Sequence, residues 1–343
     1  MDFRSDNVAG AHPAMIEALI RANDGTDTSY GGDAITERVE RRLQEIFETD
    51  CMVFPVATGT AANALSLSAL VTPWGAVYCH RDAHIEADEA GAPEFYMAGA
   101  KLVLLDGAHA KVTATVLGQA LAQAGFGDQH HVQPQAVSIS QASERGAVYR
   151  PGEIGALAEI GRGHGMRLHM DGARFANALV STNATAAELT WKAGVDVLSF
   201  GATKNGALGA EAVVFFDRQL ALNFKWRRKR AGHLFSKMRF LSAQLDAYLD
   251  NDLWLANARH ANDAARRLAE GLRALPGVRL VDPVEANEIF VELPEAVIQG
   301  LEAAGGRFHR WGPAGTRLVR LVCSFATSSA EVENFVAHAK ALA

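Results

Sequence analysis

Cysteine is scarce in this chain, and its spacing excludes the usual cysteine chemistry. There are three cysteines in 343 residues, an odd number without a CxxC pair, which argues against a disulfide scaffold and against a cysteine-bound metal. Cys51, Cys79 and Cys323 each lie in an apolar, strand-like segment. We therefore expect three buried free thiols and no metal site.

An excess of positive charge and long apolar runs are also lacking. The formal net charge is -6 with the 12 histidines counted as neutral, so nothing global attracts the chain to nucleic acid or to an anionic membrane. No apolar run approaches the roughly 18 residues that span a bilayer, and the N-terminal residues do not resemble a signal peptide. We expect a cytoplasmic protein that acts on small molecules, without nucleic-acid or membrane partners.

What the chain does have is an ordinary globular composition, with 49% hydrophobic and 21% charged residues. From residue 51 onward, short strand-like runs alternate with longer helical ones, which is typical of βαβ units in a largely parallel sheet. The apolar runs at 196–201 and 210–216 are joined only by a glycine-rich turn, which favours a neighbouring antiparallel strand at that point.

The C-terminal part of the chain has a different pattern of apolar residues. A long helical stretch follows residue 232, and it is succeeded by short apolar runs that describe a small sheet with helices. No linker, internal repeat or low-complexity segment divides the chain. We predict an α/β protein with a large domain over residues 1–240, including an N-terminal arm, and a smaller α/β C-terminal domain over residues 241–343.

Lys204 lies in the stretch SFGATKNGALGAEAVVFF, residues 199–216, directly after a strand-like run. Open α/β sheets bind their ligands at the carboxyl ends of strands. In an apolar, glycine-rich cleft a lysine loses hydration of its charged form, which makes the neutral amine available as a nucleophile toward carbonyls. The alternative is a lysine in a surface turn.

Asp171 ends a very apolar strand and is followed by glycine, alanine and Arg174. A buried carboxylate needs a cationic partner or several hydrogen bonds, and a protonated pyridine nitrogen is such a partner. An Asp beneath a heterocyclic nitrogen and a Lys from a later strand are the pair that pyridoxal phosphate requires. The alternative is that Asp171 caps the following helix.

A phosphate site is offered by the turn that contains Gly59 and Thr60, between a strand and a helix of small residues. Backbone N–H groups at a helix N-terminus attract an anion, and glycine allows a close approach. Helix capping alone is the competing explanation. A nicotinamide cofactor would require GxGxxG here, and the turn lacks it.

Three histidines follow or precede strands and are candidates to cover a flat cofactor ring or to transfer protons. His80 and His84 come just after a strand, with His84 the better placed, and His131 precedes a later strand. A loop histidine is most often solvated, so these assignments depend on the other residues.

Taken together and in this order, the motifs resemble the fold-type I pyridoxal-phosphate enzymes and, within them, the low-specificity L-threonine aldolase family. The resemblance runs from DFRSDNVAGAHPAM at the N-terminus to RLVRLVCSF near the C-terminus, nearly the whole chain. It implies a pyridoxal-phosphate cofactor and cleavage of L-threonine, L-allo-threonine or a related L-β-hydroxy-α-amino acid to glycine and an aldehyde. Around the lysine, ATKNGALGA replaces the SKG-like sequence of common members and resembles a bacterial subgroup that includes phenylserine-cleaving enzymes.

The resemblance also implies a role for each matching side chain, by number in this sequence. Lys204 would form the Schiff base, Asp171 would pair with the pyridine nitrogen, Arg174 would reach the ring hydroxyl, and His84 would stack on the ring. Gly59 and Thr60 would hold the phosphate, and Ser5 and Arg320 would bind the substrate carboxylate. The residues that would reach a neighbouring subunit's site are Tyr30, Arg230 and Lys237.

A shared site implies at least a homodimer, or a homotetramer. Arg230 belongs to the basic run KWRRKR at 225–230, which is otherwise most simply a solvated helix face. The base for the β-hydroxyl proton is left open between His84, His131 and a bound water. Other fold-type I chemistries, β-elimination or transamination, and a non-catalytic binding protein with this fold are the competing interpretations.

Overall fold

The computed structural model describes residues 1–343 and contains two sheets. The larger sheet has seven strands in the order β1-β7-β6-β5-β4-β2-β3, and only β7 runs against its neighbours. This confirms the prediction of a largely parallel sheet with one antiparallel strand after the glycine-rich turn. The strands are β1 Met52–Val56, β2 Gly75–His80, β3 Lys101–Leu105, β4 Gln133–Ser140, β5 Arg167–Gly172, β6 Val197–Gly201 and β7 Glu211–Phe215.

Helices cover both faces of this sheet, as parallel strands require. Those of the N-terminal half are α1 Pro13–Ala22, α2 Ala34–Phe47, α3 Gly59–Leu70, α4 His84–Ala87, α5 Ala92–Tyr96, α6 Ala114–Leu121 and α7 Pro151–Gly163. Those that follow are α8 Phe175–Val180, α9 Arg218–Ala221, α10 Phe224–Arg230, α11 Arg239–Leu249, α12 Leu253–Arg273, α13 Glu295–Ala303 and α14 Ser329–Leu342. None of these helices combines the length and the apolar character needed to cross a bilayer.

The helix α3 is almost entirely buried, and its composition explains why. Every residue from Ala61 to Ser68 is buried, and the small alanine and serine side chains among them allow the helix axis to approach the sheet closely. Its N-terminus is fixed by Thr58, whose side chain accepts the N–H of Ala61 at 3.1 Å. The helix therefore starts at the carboxyl end of β1, at the edge of the sheet where the other parallel strands also end.

The second sheet is antiparallel, in the order β10-β11-β9-β8, with β8 Arg279–Leu280, β9 Glu288–Glu292, β10 His309–Arg310 and β11 Leu318–Val322. Its core also contains Phe3 from the N-terminal arm. The division at residue 240 stays a prediction. The large core includes apolar side chains from α11 and as far along the chain as Ala258 in α12.

The cysteines and the basic run have distinct surroundings. All three cysteines are buried and free, as predicted, and burial raises the pKa of each thiol to about 12. In the basic run, Arg228 is buried, and its guanidinium lies 5.3 Å from the ring centre of Phe54 and donates to Pro55 O at 3.3 Å. Burial lowers its pKa to about 10. The run is therefore only partly a solvated helix face.

Candidate active site

A cavity of about 390 Å³ opens at the carboxyl ends of the parallel strands. This is the edge at which open α/β sheets bind ligands. The cavity brings together six of the predicted site residues, which are Gly59, Thr60, His84, Asp171, Arg174 and Lys204.

The N-terminus of α3 forms one wall of the cavity. The N–H groups of Gly59 and Thr60 belong to the first turn and have no partner within the helix. A Cβ placed on Gly59 would meet nothing within 4 Å, so this wall is open to a group that approaches the backbone. Thr58 does cap the helix, as the competing explanation held, but the cap uses only the N–H of Ala61. The remaining donors are suited to an anion.

Asp171 is buried at the end of β5, with both carboxylate oxygens occupied. Its Oδ2 accepts from Asn63 Nδ2 at 2.8 Å, and its Oδ1 accepts from the N–H of Ala173 at 2.9 Å. The alternative that Asp171 caps the following helix is wrong, because α8 begins at Phe175 and its N-cap position is Arg174. The carboxylate is held rigidly and faces the cavity.

Lys204 lies in a short 3₁₀ turn, Thr203–Asn205, directly after β6. Its Nζ has no hydrogen bond or ion pair within the chain, and its side chain lines the cavity. The turn is anchored by the next residue, because Asn205 Nδ2 donates to Tyr248 Oη and to Trp254 O, each at 2.8 Å. Lys204 therefore presents an unpaired amino group to the cavity from a turn that is held in place. The alternative of a lysine in a surface turn is wrong.

Arg174 connects the cavity to a buried group of alternating charges. Its Nε and Nη2 donate to the two oxygens of Asp6 at 2.7 and 3.0 Å, and Nη2 lies 3.3 Å from Glu288 Oε1. Burial raises the pKa of Asp6, but the charges of Arg174 and Lys204 outweigh it, and the net pKa of Asp6 is lowered. Glu288 Oε1 also accepts from Arg320 Nε at 3.1 Å and Nη2 at 2.6 Å. Arg320, predicted to bind the substrate carboxylate, is thus paired with Glu288 and does not itself line the cavity.

His84 is held from two sides. Its Nδ1 lies 2.8 Å from Glu89 Oε1, and its backbone N–H donates to Glu144 Oε1 at 2.9 Å. The hydrogen bond to Glu89 is the main reason that the pKa of His84 is raised. His80, by contrast, bonds to Gly107 O at 3.1 Å and does not line the cavity, so His84 is the better placed of the two.

Two further carboxyl groups line the cavity and are protonated more readily than usual. Burial raises the pKa of Glu144 to about 7, and burial does the same for Glu211. Sequence reasoning missed both, together with Asp6, Asn63, Glu89 and Glu288. Glu211 and Glu288 left a signal of the kind used for Asp171, a carboxylate next to an apolar strand, in AEAVVFF and EIFVEL.

The remaining predicted residues lie outside the cavity of one chain. Ser5 accepts the N–H of Asn7 at 3.1 Å and so supports a cavity residue without lining the cavity itself. Tyr30, Arg230 and Lys237 are exposed. Their assignment to a neighbouring subunit's site stays a prediction.

His131 is separated from the other candidates by the length of a strand. It precedes β4, whose eight residues span about 26 Å at roughly 3.3 Å each, and the cavity lies at the other end of that strand. Its imidazole is exposed, with Asp128 at 3.6 Å. Within one chain, the geometry therefore contradicts a role for His131 as the base in this cavity.

The architecture and the position of the cavity define the class first. A seven-stranded, largely parallel sheet with a small antiparallel domain is the fold of the pyridoxal-phosphate enzymes of fold type I. A model of the β-eliminating lyase family matches residues 2–296. A solved structure, threonine aldolase from Leishmania major, superimposes with a TM-score of 0.94 at 30% identity and covers 99% of both chains.

Curated relatives are closer still in sequence. A low specificity L-threonine aldolase from Pseudomonas aeruginosa is 46% identical over 95% of this chain and 93% of its own length. Another from Pseudomonas sp. strain NCIMB 10558 is 44% identical over 99% of this chain and 97% of its own length. The chain belongs to the low-specificity L-threonine aldolases, within the β-eliminating lyase family, and is a lyase.

Proposed function

We propose that the protein cleaves L-threonine, L-allo-threonine or a related L-β-hydroxy-α-amino acid, such as phenylserine, to glycine and an aldehyde with pyridoxal phosphate as cofactor. The observation that carries this proposal is one cavity that contains the unpaired amine of Lys204, the fixed carboxylate of Asp171 and the open N-terminus of α3. The high identity to threonine aldolases supports the choice of reaction.

The residues present fit this cofactor. The phosphate would meet the N–H groups at Gly59 and Thr60, and the aldehyde carbon would bond to Lys204 Nζ. Asp171 would face the pyridine nitrogen, since its buried carboxylate is held by neutral donors and has no cationic partner within hydrogen-bonding distance. When bound, the cofactor supplies an electron sink for the bond that is broken next to the amino group.

The chain's own groups then have three tasks. Arg320, with Ser5, would hold the substrate carboxylate, which orients the Cα–Cβ bond for cleavage, and Arg174 would reach the hydroxyl of the cofactor ring. The fixed carboxylate of Asp171 would pair with the pyridine nitrogen. A base accepts the β-hydroxyl proton; of the two histidines proposed for this task only His84 lines the cavity, and a bound water is the other candidate. Ser5 and Arg320, predicted to bind the carboxylate, would act next to Arg174.

A shared site between two subunits is part of the proposal. Leu208 lines the cavity and is 63% exposed, and Tyr30 is 50% exposed, so the cavity has an uncovered side in a single chain. We propose that a second copy covers it and contributes Tyr30, Arg230 and Lys237, in a homodimer or a homotetramer. The cytoplasmic location also remains a proposal.

Product analysis tests the proposed reaction. Purified protein with added cofactor is incubated with threonine, allo-threonine and phenylserine, and glycine and aldehyde are quantified. We expect equimolar glycine and aldehyde from at least one of them. Ammonia with a keto acid would instead indicate the β-eliminating alternative, and the absence of any borohydride-sensitive chromophore would indicate a non-catalytic protein.

A further inference from the structure

We propose that Glu89 is a positioning residue that holds the His84 imidazole with its Nδ1–H toward Glu89, so that Nε2 is the atom that accepts the substrate's β-hydroxyl proton. This inference rests on the proposed function. It selects one of the candidate bases and assigns a task to a buried carboxylate that the reaction otherwise leaves unused.

The direction of the hydrogen bond follows from the neighbours of Glu89. Asn63 Nδ2 donates to Glu89 Oε1 at 2.9 Å and to Asp171 Oδ2 at 2.8 Å, which fixes the orientation of the Asn63 amide. Oε1 of Glu89 is therefore an acceptor already, and it lies 2.8 Å from His84 Nδ1. Burial raises the pKa of Glu89, and the hydrogen bonds from His84 and Asn63 oppose that shift. With Glu89 ionised, its Oε1 can only accept, so the imidazole donates through Nδ1.

The burial of Glu89 makes this contact important. Its side chain is 0% exposed, and its Oε2 has no hydrogen-bond partner. A buried carboxylate needs a nearby proton or cation, and His84 is the only group in contact that can supply a positive charge. Glu89 therefore stabilises the protonated, positively charged form of the imidazole. This makes His84 a stronger base toward the proton of the substrate hydroxyl.

The other charged groups near His84 have opposite effects on its pKa. Asp171, at the end of β5, raises the pKa of His84, and Lys204, in the turn after β6, lowers it, as does burial. Glu144 contacts the backbone N–H rather than the ring. Glu89 is the only one of these groups bonded to the imidazole itself, and it has the largest effect.

Nε2 is left as the reactive atom. It has no hydrogen-bond partner within the chain, and His84 lines the cavity. In the cleavage, the O–H bond breaks and its proton moves to Nε2, the aldehyde C=O forms, and the electron pair of the Cα–Cβ bond stays with the glycine fragment. A proton from His84 or solvent then completes the Cα–H bond of glycine.

The test combines two measurements on Glu89→Gln. The first is an NMR titration of ¹⁵N-labelled His84 in cofactor-free protein. The second is the pH profile of kcat/KM for glycine release from threonine by the holoenzyme. We expect the His84 pKa to fall, the acid limb of the profile to move to lower pH by the same amount, and the plateau to fall about tenfold because a weaker base accepts the proton more slowly.

Two further variants separate this effect from a loss of structure. Glu89→Asp keeps the charge and should restore most of the wild-type profile. Glu86→Gln removes an exposed carboxylate from the same short segment and should change neither measurement. Thermal unfolding of each variant shows whether it is folded.

Either half of the test can overturn the inference. If the His84 pKa falls while the acid limb stays in place, His84 is not the base. If the His84 pKa does not change in Glu89→Gln, Glu89 does not control the imidazole. Failure of the wild-type protein to release glycine from any substrate would instead refute the proposed function. The NMR titration would still show whether Glu89 controls the pKa of His84.

Discussion

Glu288 is buried between two arginines, and its charge decides how both are placed. Its side chain is 1% exposed, its Oε1 accepts from Arg320, and Arg174 lies 3.3 Å away. Removing one member of a buried ion pair leaves an uncompensated charge, which typically costs about 3–5 kcal/mol. Arg174 precedes α8, whereas Glu288 and Arg320 lie on paired strands of the small sheet, so local sequence does not predict this cluster.

We predict that Glu288→Gln lowers the free energy of unfolding by about 3–5 kcal/mol, because Arg320 then loses its carboxylate partner and Arg174 keeps only Asp6. It should also raise KM for threonine about tenfold, with a smaller change in kcat, since Arg320 is proposed to orient the substrate carboxylate. Denaturant unfolding and steady-state kinetics measure the two effects.

The matched control is Glu292→Gln, at the other end of the same strand, where the carboxylate pairs with the exposed Arg279. An exposed pair contributes at most about 1 kcal/mol, so stability and KM should stay near the wild-type values. Equal behaviour of the two variants would contradict a special role for Glu288.

At the scale of elements, the N-terminus of α3 is the proposed phosphate site. We predict that Gly59→Asp weakens binding of pyridoxal phosphate at least tenfold, because a carboxylate then occupies the position that the anion requires. Stability should not fall, since a Cβ at this position has space and a carboxylate favours a helix N-terminus by about 0.3–1 kcal/mol. Fluorescence titration with the cofactor and thermal unfolding measure both.

Gly152→Asp, in the first turn of α7, provides the control. A Cβ there also meets nothing within 4 Å, and the helix lies outside the cavity. Cofactor affinity should be unchanged in this variant. If both glycine variants bind the cofactor normally, the phosphate is held elsewhere.

The elements of the large sheet were predictable because each strand is a short apolar run followed by a helical one. The residues at strand ends, Asp171 and Lys204, could be identified for the same reason. Their partners could not. Asp6 lies 168 residues from Arg174 and 281 from Asn287, both of which donate to it, and contacts of such separation leave no local pattern. Asn63 and Glu89 likewise look like ordinary polar residues of a helix and a loop.

At the scale of the whole molecule, buried carboxyl groups make stability depend on pH. Glu211 has a pKa of about 7 in the folded protein, chiefly because it is buried, against roughly 4.3 for an exposed glutamate. Between these values the folded state keeps a proton that the unfolded state has lost, so the free energy of unfolding falls as the pH rises. Glu144 acts in the same direction, whereas buried His169, with a pKa lowered to about 4 by burial, acts in the opposite direction between pH 4 and 6.5.

We predict that Glu211→Gln is more stable than the wild type at pH 8, by at most about 4 kcal/mol, because a neutral amide does not lose a proton. The difference should shrink toward pH 4. Thermal unfolding of the cofactor-free protein at both pH values measures it, with the exposed Glu270→Gln as control. A pH-independent difference would contradict the raised pKa of Glu211.

The proposed reaction depends most directly on the amine of Lys204. The protein is incubated with pyridoxal phosphate, reduced with borohydride, digested and analysed by mass spectrometry. We predict one covalent adduct, on the peptide that contains Lys204, and its loss in Lys204→Ala but not in the exposed Lys225→Ala. An adduct on a different lysine, or none in a protein that still releases glycine, would contradict the proposal.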